Sequence, residues 1–305
     1  GASHLLPRFY LNQGIILLKI DRLGESRALL EKGHRLAVSL GDRIYETRLN
    51  LALGRLETLS GRYARAETLI LNGKNIAERN RFMREATISD EYLGDILLQR
   101  GDPDKARFNY KLGLEKAQAI AAGNDLEGEL QRRVGEAHLM SGRYDDAVAV
   151  SQAAMAICEQ CGEEYEIGFC HLTLGKAYAQ QADWQQADHH FRQAIAKFQD
   201  QRLPHMWCRA ILEFADHRLE NAREPELLLF RRYLMDAQDN GASAVSDSVL
   251  CQILEKLAQV QIQLAQFDDA LLTVFELERH AAGCDDPVLD ASVVQLRSRI
   301  ESGLL

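Results

Sequence analysis

Proline is nearly missing from this chain, with five residues in 305. Proline ends or kinks helices, so its scarcity leaves long helices uninterrupted. Alternating runs of Val, Ile and Thr are missing too, which removes the half-buried strand pattern. The abundant Ala, Leu, Gln, Glu and Arg favour helix nearly throughout. No stretch approaches the roughly 18 consecutive apolar residues of a membrane span. Six cysteines, at 158, 161, 170, 208, 251 and 284, are too scattered for the disulfide framework of a small secreted domain. They point to a reducing, cytoplasmic compartment.

A concentrated basic field is also lacking. Residues 1–100 hold 16 Lys+Arg against 12 Asp+Glu, and the remainder holds 20 against 33. Direct nucleic-acid binding by this fragment needs clustered cations and is disfavoured on this balance. The arginine-rich front end suits an acidic partner instead. At 46% hydrophobic and 27% charged, the composition is that of a globular protein. The start Gly1-Ala2-Ser3, without Met, reads as a tag remnant on a fragment of a longer protein.

What the chain has in quantity is repetition. SGRYARA at 60–66 returns as SGRYDDA at 141–147. A small residue recurs as Gly14, Gly54, Gly94, Gly135, Gly175 and, after a double interval, Ala258, at single spacings of 40, 40, 41 and 40. Twelve positions after each stands Ser26, Ala66, Ala106, Ala147, Ala187 or Ala270. Seven after the first marker comes a turn position: Asp21, Gly61, Gly101, Gly142, Ala182 or Ala265. Two further on stands Leu23, Tyr63, Pro103, Tyr144, Trp184 or Phe267. The echo is therefore a hinge between two helices, closed by a left-handed residue.

Offsets of 0, 4, 7 and 11 from the hinge Ala describe one helix face. Offsets 7 and 11 hold Gly33, Gly73, Gly113, Ala154 and Ala194, then Ala37, Ala77, Ala117, Cys158 and Phe198. Mostly small side chains there let neighbouring helices approach closely. Units end in Gly/Asp turns at Leu40-Gly41-Asp42, Gly123-Asn124-Asp125, Cys161-Gly162-Glu163 and Asp239-Asn240-Gly241.

The pattern Leu53-Gly54…Gly61-Arg62-Tyr63-Ala64-Arg65-Ala66, repeated from Leu93-Gly94 to Ala106, resembles the tetratricopeptide (TPR) repeat. The resemblance runs from about residue 8 to residue 285. It departs from the usual form in a period of 40 rather than 34 and in lacking the proline that often ends the second helix. Both features resemble the long-repeat subtype of kinesin light chains and of bacterial signalling and transcription regulators. The implied fold is all-α, a right-handed superhelical solenoid of about seven antiparallel helix pairs. Repeats are expected at about 7–42, 43–82, 83–123, 124–163, 164–203, a degenerate 204–245 and 246–285, with a capping helix at 286–305. The cap shows Val288, Val293, Val294, Leu296 and Ile300 in helical pattern. One continuous core over 1–305 is expected.

The resemblance further implies that first helices line a concave groove. Three positions per repeat would point into it: six before, three before and one after the small marker. Carried over, these give Arg48, Leu51, Arg55, Glu91, Asp95, Glu129, Arg132, Glu136, Phe169, Leu172 and Lys176 as partner-binding residues. The same columns hold Arg8, Ile15 and Ile88. The Asn that chaperone-binding relatives place one after the marker is missing, so a chaperone co-factor role is disfavoured.

Sites of chemistry are scarce. Cys158, Cys161, Cys170 and His171 could hold tetrahedral zinc, but Cys158 falls in the small-residue column. Residues 170 and 171 also diverge by about 100° on a helix. These read as structural cysteines. Asp188-His189-His190 reads as a surface polar run, and His138 as a core or half-buried histidine. No phosphate loop, nucleophile elbow or zinc-protease motif appears, so no catalytic residue, metal or cofactor is assigned.

The reading is a non-catalytic module binding a protein or peptide segment, the sensor or scaffold arm of a signalling or transcription-regulatory protein. A small-ligand-sensing arm and a regulator of response-regulator phosphorylation stay open. So does self-association through exposed end repeats.

Overall fold

The computed structural model describes residues 5–242, 245–282 and 287–304; Cys284 lies outside them. Among the described residues there are fifteen α-helices and no strand. They are α1 (Leu6–Lys19), α2 (Leu23–Leu40), α3 (Arg43–Leu59), α4 (Tyr63–Asn80), α5 (Met83–Gln99), α6 (Pro103–Ile120), α7 (Asp125–Met140) and α8 (Tyr144–Cys161). There follow α9 (Glu164–Gln180), α10 (Trp184–Asp200), α11 (Pro204–Arg218), α12 (Glu224–Asp236), α13 (Asp247–Gln263), α14 (Phe267–Ala281) and α15 (Pro287–Leu304). They gather into two compact units, Gly1–Ala177 and Tyr178–Leu305.

Local sequence sets where helices start and stop. Asp42, Asp102, Asn124 and Asp183 each accept a backbone N–H three residues on, satisfying a donor that the first turn leaves free. All six hinge positions have positive φ: Asp21 61°, Gly61 71°, Gly101 76°, Gly142 71°, Ala182 59° and Ala265 56°. At Gly61 the reversal lets Arg62 N–H reach Glu57 O at 2.9 Å and close the helix end. The unit-ending turns at Gly41, Gly123 and Gly162 are left-handed as well.

In the first unit, α1/α2, α3/α4, α5/α6 and α7/α8 are helix pairs, each packed on the next. The small residues let them close. A Cβ at Gly54 would stand 2.4 Å from Ile70, and one at Gly94 2.3 Å from the Tyr110 ring. Ser26 Oγ, in the first copy, donates to Gly14 O at 2.8 Å. The buried column Ala37, Ala77, Ala117 and Cys158 continues this contact. The odd-numbered helices α1, α3, α5 and α7 lie side by side, which places their exposed edges in one row.

The second unit departs from that plan. Phe191 stacks on Phe214 at 4.9 Å between centroids, and Phe230 meets Phe214 edge-on at 4.7 Å. Large aromatics thus fill the space that small columns leave narrow elsewhere, and this obscures the repeat in 204–245. Pro225 occupies the first turn of α12. Asp239-Asn240-Gly241, expected as a connecting turn, instead forms a π-helical continuation, Ala237–Gly241. The segment packs closely there: a Cβ at Gly241 would meet Cys208 Sγ at 2.5 Å. The last helix, α15, buries Leu289, Val293, Leu296 and Ile300 against α13 and α14, while Val288 and Val294 face outward.

His190 also departs from expectation. It is buried and stacked on Tyr178 at 5.5 Å rather than displayed on the surface, since α10 turns that edge inward. His138 is half-buried. Cys158 and Cys170 are buried, and Cys161 is exposed with its thiol 3.3 Å from Gly123 O. No described helix is long and apolar enough to cross a membrane.

Candidate functional site

The row of odd helices in the first unit carries two neighbouring zones of different chemistry. The first is a groove of about 290 Å³ over α1, α3 and α5. Leu11, Ile15, Leu18, Leu51, Ala52 and Ile88 give it an apolar lining, and Arg48, Arg55, Arg84, Glu85 and Tyr92 complete its wall. Helical spacing explains the combination. Arg48, Leu51 and Arg55 are three and four residues apart on α3, as are Glu85, Ile88 and Tyr92 on α5, so each set shares a face.

The three arginines of this groove differ in partnership. Arg48 pairs with Glu85 at 2.7 Å and lies over the Tyr45 ring. Arg84 reaches Asp125 with both guanidinium nitrogens. Arg55 has no carboxylate within ion-pair distance among the described residues. Its guanidinium lies 5.5 Å from the Tyr92 ring centroid and donates to the Tyr92 hydroxyl oxygen at 3.4 Å. Burial pushes the Tyr92 phenol up to about 12, against the pull of Arg55, so it keeps its proton at neutral pH.

The second zone is a buried ion network on α5, α7 and α9 with Arg133 at its centre. Arg133 is only 5% exposed and reaches Glu91 at 2.7 Å, Asp95 at 2.9 Å and Glu129 at 3.5 Å. Tyr110, from α6, donates to the same Asp95 at 2.8 Å. Arg132 pairs with Glu166 and, at 3.1 Å, with Glu136, and its guanidinium stands 5.1 Å from the Phe169 ring. Burial pushes the Glu91 carboxyl well above the usual range, against the opposing pull of Arg133. Burial and the neighbouring Glu166 likewise raise Glu129. Burial alone would raise Glu166, but Arg132 and Arg133 together hold it below its ordinary value.

The eleven residues expected to meet a partner are thus distributed unevenly. Arg48, Leu51 and Arg55 line the groove. Glu91 and Arg132 are buried within the ion network, and Asp95 and Glu129 are three-quarters covered there. Glu136 stays 40% exposed at its rim. Phe169 lies beneath Arg132 and edge-on to Tyr165 at 5.0 Å, and Leu172 and Lys176 are half-buried further along α9.

Sequence reasoning missed Tyr92, Arg133 and Glu166. Tyr92 and Arg133 stand at one register, two before the small marker, and Glu85 and Glu166 at another, nine before it. Both registers lie on the same helix face as the columns that were read. The register nine before the marker extends those columns by one turn, and the register two before lies between them, four from the first column and three from the last.

Among the described residues no three His, Cys, Asp or Glu side chains are placed to hold a metal ion.

Residues 126–200 match the family described as tetratricopeptide repeat. No curated protein matches the chain in sequence. In structure it is similar to the apo form of RapI, with a TM-score of 0.65 and 14% identity over 98% of this chain and 86% of that one. It is also similar to a Rap protein complexed with Competence and Sporulation Factor, with a TM-score of 0.64 and 15% identity over 94% and 76%. A third likeness is to a signal transduction ATPase with numerous domains, carrying a tetratricopeptide repeat sensor, from Pyrococcus horikoshii. Its TM-score is 0.63 at 15% identity, over 96% of this chain and 46% of that one. At these identities the likeness is one of fold: the chain shares the TPR-like helical-repeat fold.

Proposed function

We propose that the first unit is a non-catalytic recognition module that binds a protein or peptide segment along its row of odd-numbered helices, as the sensor or scaffold arm of a signalling or transcription-regulatory protein. The observation that carries this reading is the apolar groove over α1, α3 and α5, set beside a row of polar side chains that remain partly exposed. Extended segments are commonly held in this way, with apolar side chains in pockets and charged groups fixing register. Two comparisons support it: one similar Rap protein is complexed with Competence and Sporulation Factor, and the repeats of the similar ATPase are a sensor.

The structure directs the choice of variant. Arg48 and Glu136, with side chains 41% and 40% exposed, can be truncated without removing Arg133 or its carboxylates. Wild type and Arg48→Ala/Glu136→Ala, matched for helicity and melting temperature, are immobilised and their captured proteins compared by mass spectrometry. A partner kept by wild type and lost by the variant supports the reading. Identical captures would move recognition to another face.

A further inference from the structure

We propose that the groove over α1, α3 and α5 is also a binding site for a small apolar monocarboxylate, of the class of a medium-chain alkanoate, with its head group held by Arg55 and the Tyr92 hydroxyl. This goes beyond segment recognition: it assigns a second ligand class, and it stands whether or not a protein partner uses the same face.

Size comes first. About 290 Å³ lies just below the roughly 300–1,000 Å³ of small-molecule sites. That volume accommodates one compact apolar body at a time, a side chain of a docked segment or a short alkyl chain. Leu11, Ile15, Leu51 and Ile88 supply the surface against which an alkyl chain is withdrawn from water.

Charge then selects the head group. Of the three guanidiniums on the wall, Glu85 compensates Arg48 and Asp125 compensates Arg84. Arg55 has no carboxylate within ion-pair distance among the described residues, and its contact is the oxygen of Tyr92. That contact leaves the phenol's own O–H without an acceptor among the described residues. Two donors therefore converge on the groove, and a carboxylate accepts from both, with the charge-assisted strength of an arginine pair. One cation without a direct ion-pair partner matches one negative charge. Glu85 in the wall, and Glu129 acting on Arg55 from the adjoining network, oppose a dianion such as a phosphate monoester. An amine would meet the guanidinium itself.

The test uses the whole chain with three probes of equal length: sodium octanoate, 1-octanol and octylamine, titrated by isothermal calorimetry and saturation-transfer NMR. Wild type is expected to bind octanoate at least about tenfold more tightly than octanol, the difference a charge-assisted pair supplies, and octylamine least. Arg55→Gln is expected to abolish that preference while keeping octanol binding. Arg100→Gln, which removes the same charge from an exposed site outside the groove, should leave it intact. Ile15→Trp fills the groove and should eliminate octanoate and octanol binding together.

Equal affinity for octanoate and octanol, an undiminished preference in Arg55→Gln, binding that survives Ile15→Trp, or no octanoate binding by wild type would each overturn the proposal. The capture experiment with Arg48→Ala/Glu136→Ala leaves Arg55 in place, so failure of segment recognition and failure of this site are separately visible.

Discussion

Lys19, the last residue of α1, places its ammonium nitrogen 4.9 Å from the ring centroid of Tyr165, at the start of α9. Seven helices, α2 to α8, intervene in sequence between these two side chains, so within the first unit the row of odd helices winds far enough for its ends to touch. The contact is a cation–π pair made by tertiary structure alone. A double-mutant cycle on Lys19→Met and Tyr165→Leu is expected to give a coupling of about 0.5–1 kcal/mol in urea unfolding. Additive single effects would show that the two ends do not hold each other.

Arg133 is the keystone of the buried network. Arg133→Leu would leave buried Glu91 and three-quarters-covered Asp95 without their main counter-charge. Breaking a buried pair from one side costs on the order of 3–5 kcal/mol. We expect a loss of that size at pH 7 and a smaller one near pH 5, where the stranded Glu91 carboxyl, already pushed up by burial, can take up a proton. Urea midpoints at both pH values check this, and Arg132→Leu, whose carboxylate partner Glu166 is also buried, serves as comparison.

His190 gives the second unit a defined acid response. Burial, assisted by the neighbouring His189, lowers it from 6.5 to about 4. The folded state thus binds this proton less readily than the unfolded chain. The stability His190 supports is therefore complete above the unfolded value of 6.5 and is lost as pH falls from there toward about 4. The slope is about 1.4 kcal/mol per pH unit, for a total of up to about 3 kcal/mol. His190→Phe, which keeps a ring against Tyr178, should remove that slope in denaturation measured from pH 7 to pH 4.5.

The hinges allow an opposite change. Ala182 and Ala265 hold φ of 59° and 56°, where an L side chain is strained by about 1–2 kcal/mol. Part of the relief on replacement is offset by the greater freedom of glycine in the unfolded chain. Ala182→Gly and Ala265→Gly are each expected to stabilise by about 0.5–1 kcal/mol, read as a rise in melting temperature. Gly94→Ala should do the reverse by about 1–3 kcal/mol, because its Cβ would displace Tyr110 and break the bond to Asp95.

The sequence by itself determined the helices, the hinges and the pairing of each helix with its neighbour. These follow from local rules: a left-handed residue ends a helix, Asp or Asn opens the next, and residues three and four apart share a face. The hinge column from Asp21 to Ala265 and the close packing of Gly54 and Gly94 were legible for that reason. In the second unit the rules hold at the Ala182 and Ala265 hinges, but between them the large Phe191–Phe214–Phe230 core outweighs them, and the Asp239–Gly241 turn is absorbed into a π-helical segment. Only the tertiary structure decided which charges on the helix row are consumed. Arg133 meets Asp95 thirty-eight residues away, Arg132 meets Glu166 thirty-four away, and Arg55 meets no carboxylate among the described residues. Such pairings depend on how far one helix slides and rotates against the next, and an offset of one residue moves a side chain by about 100° around its axis. No local rule fixes that offset; the packing of small residues between whole helices does.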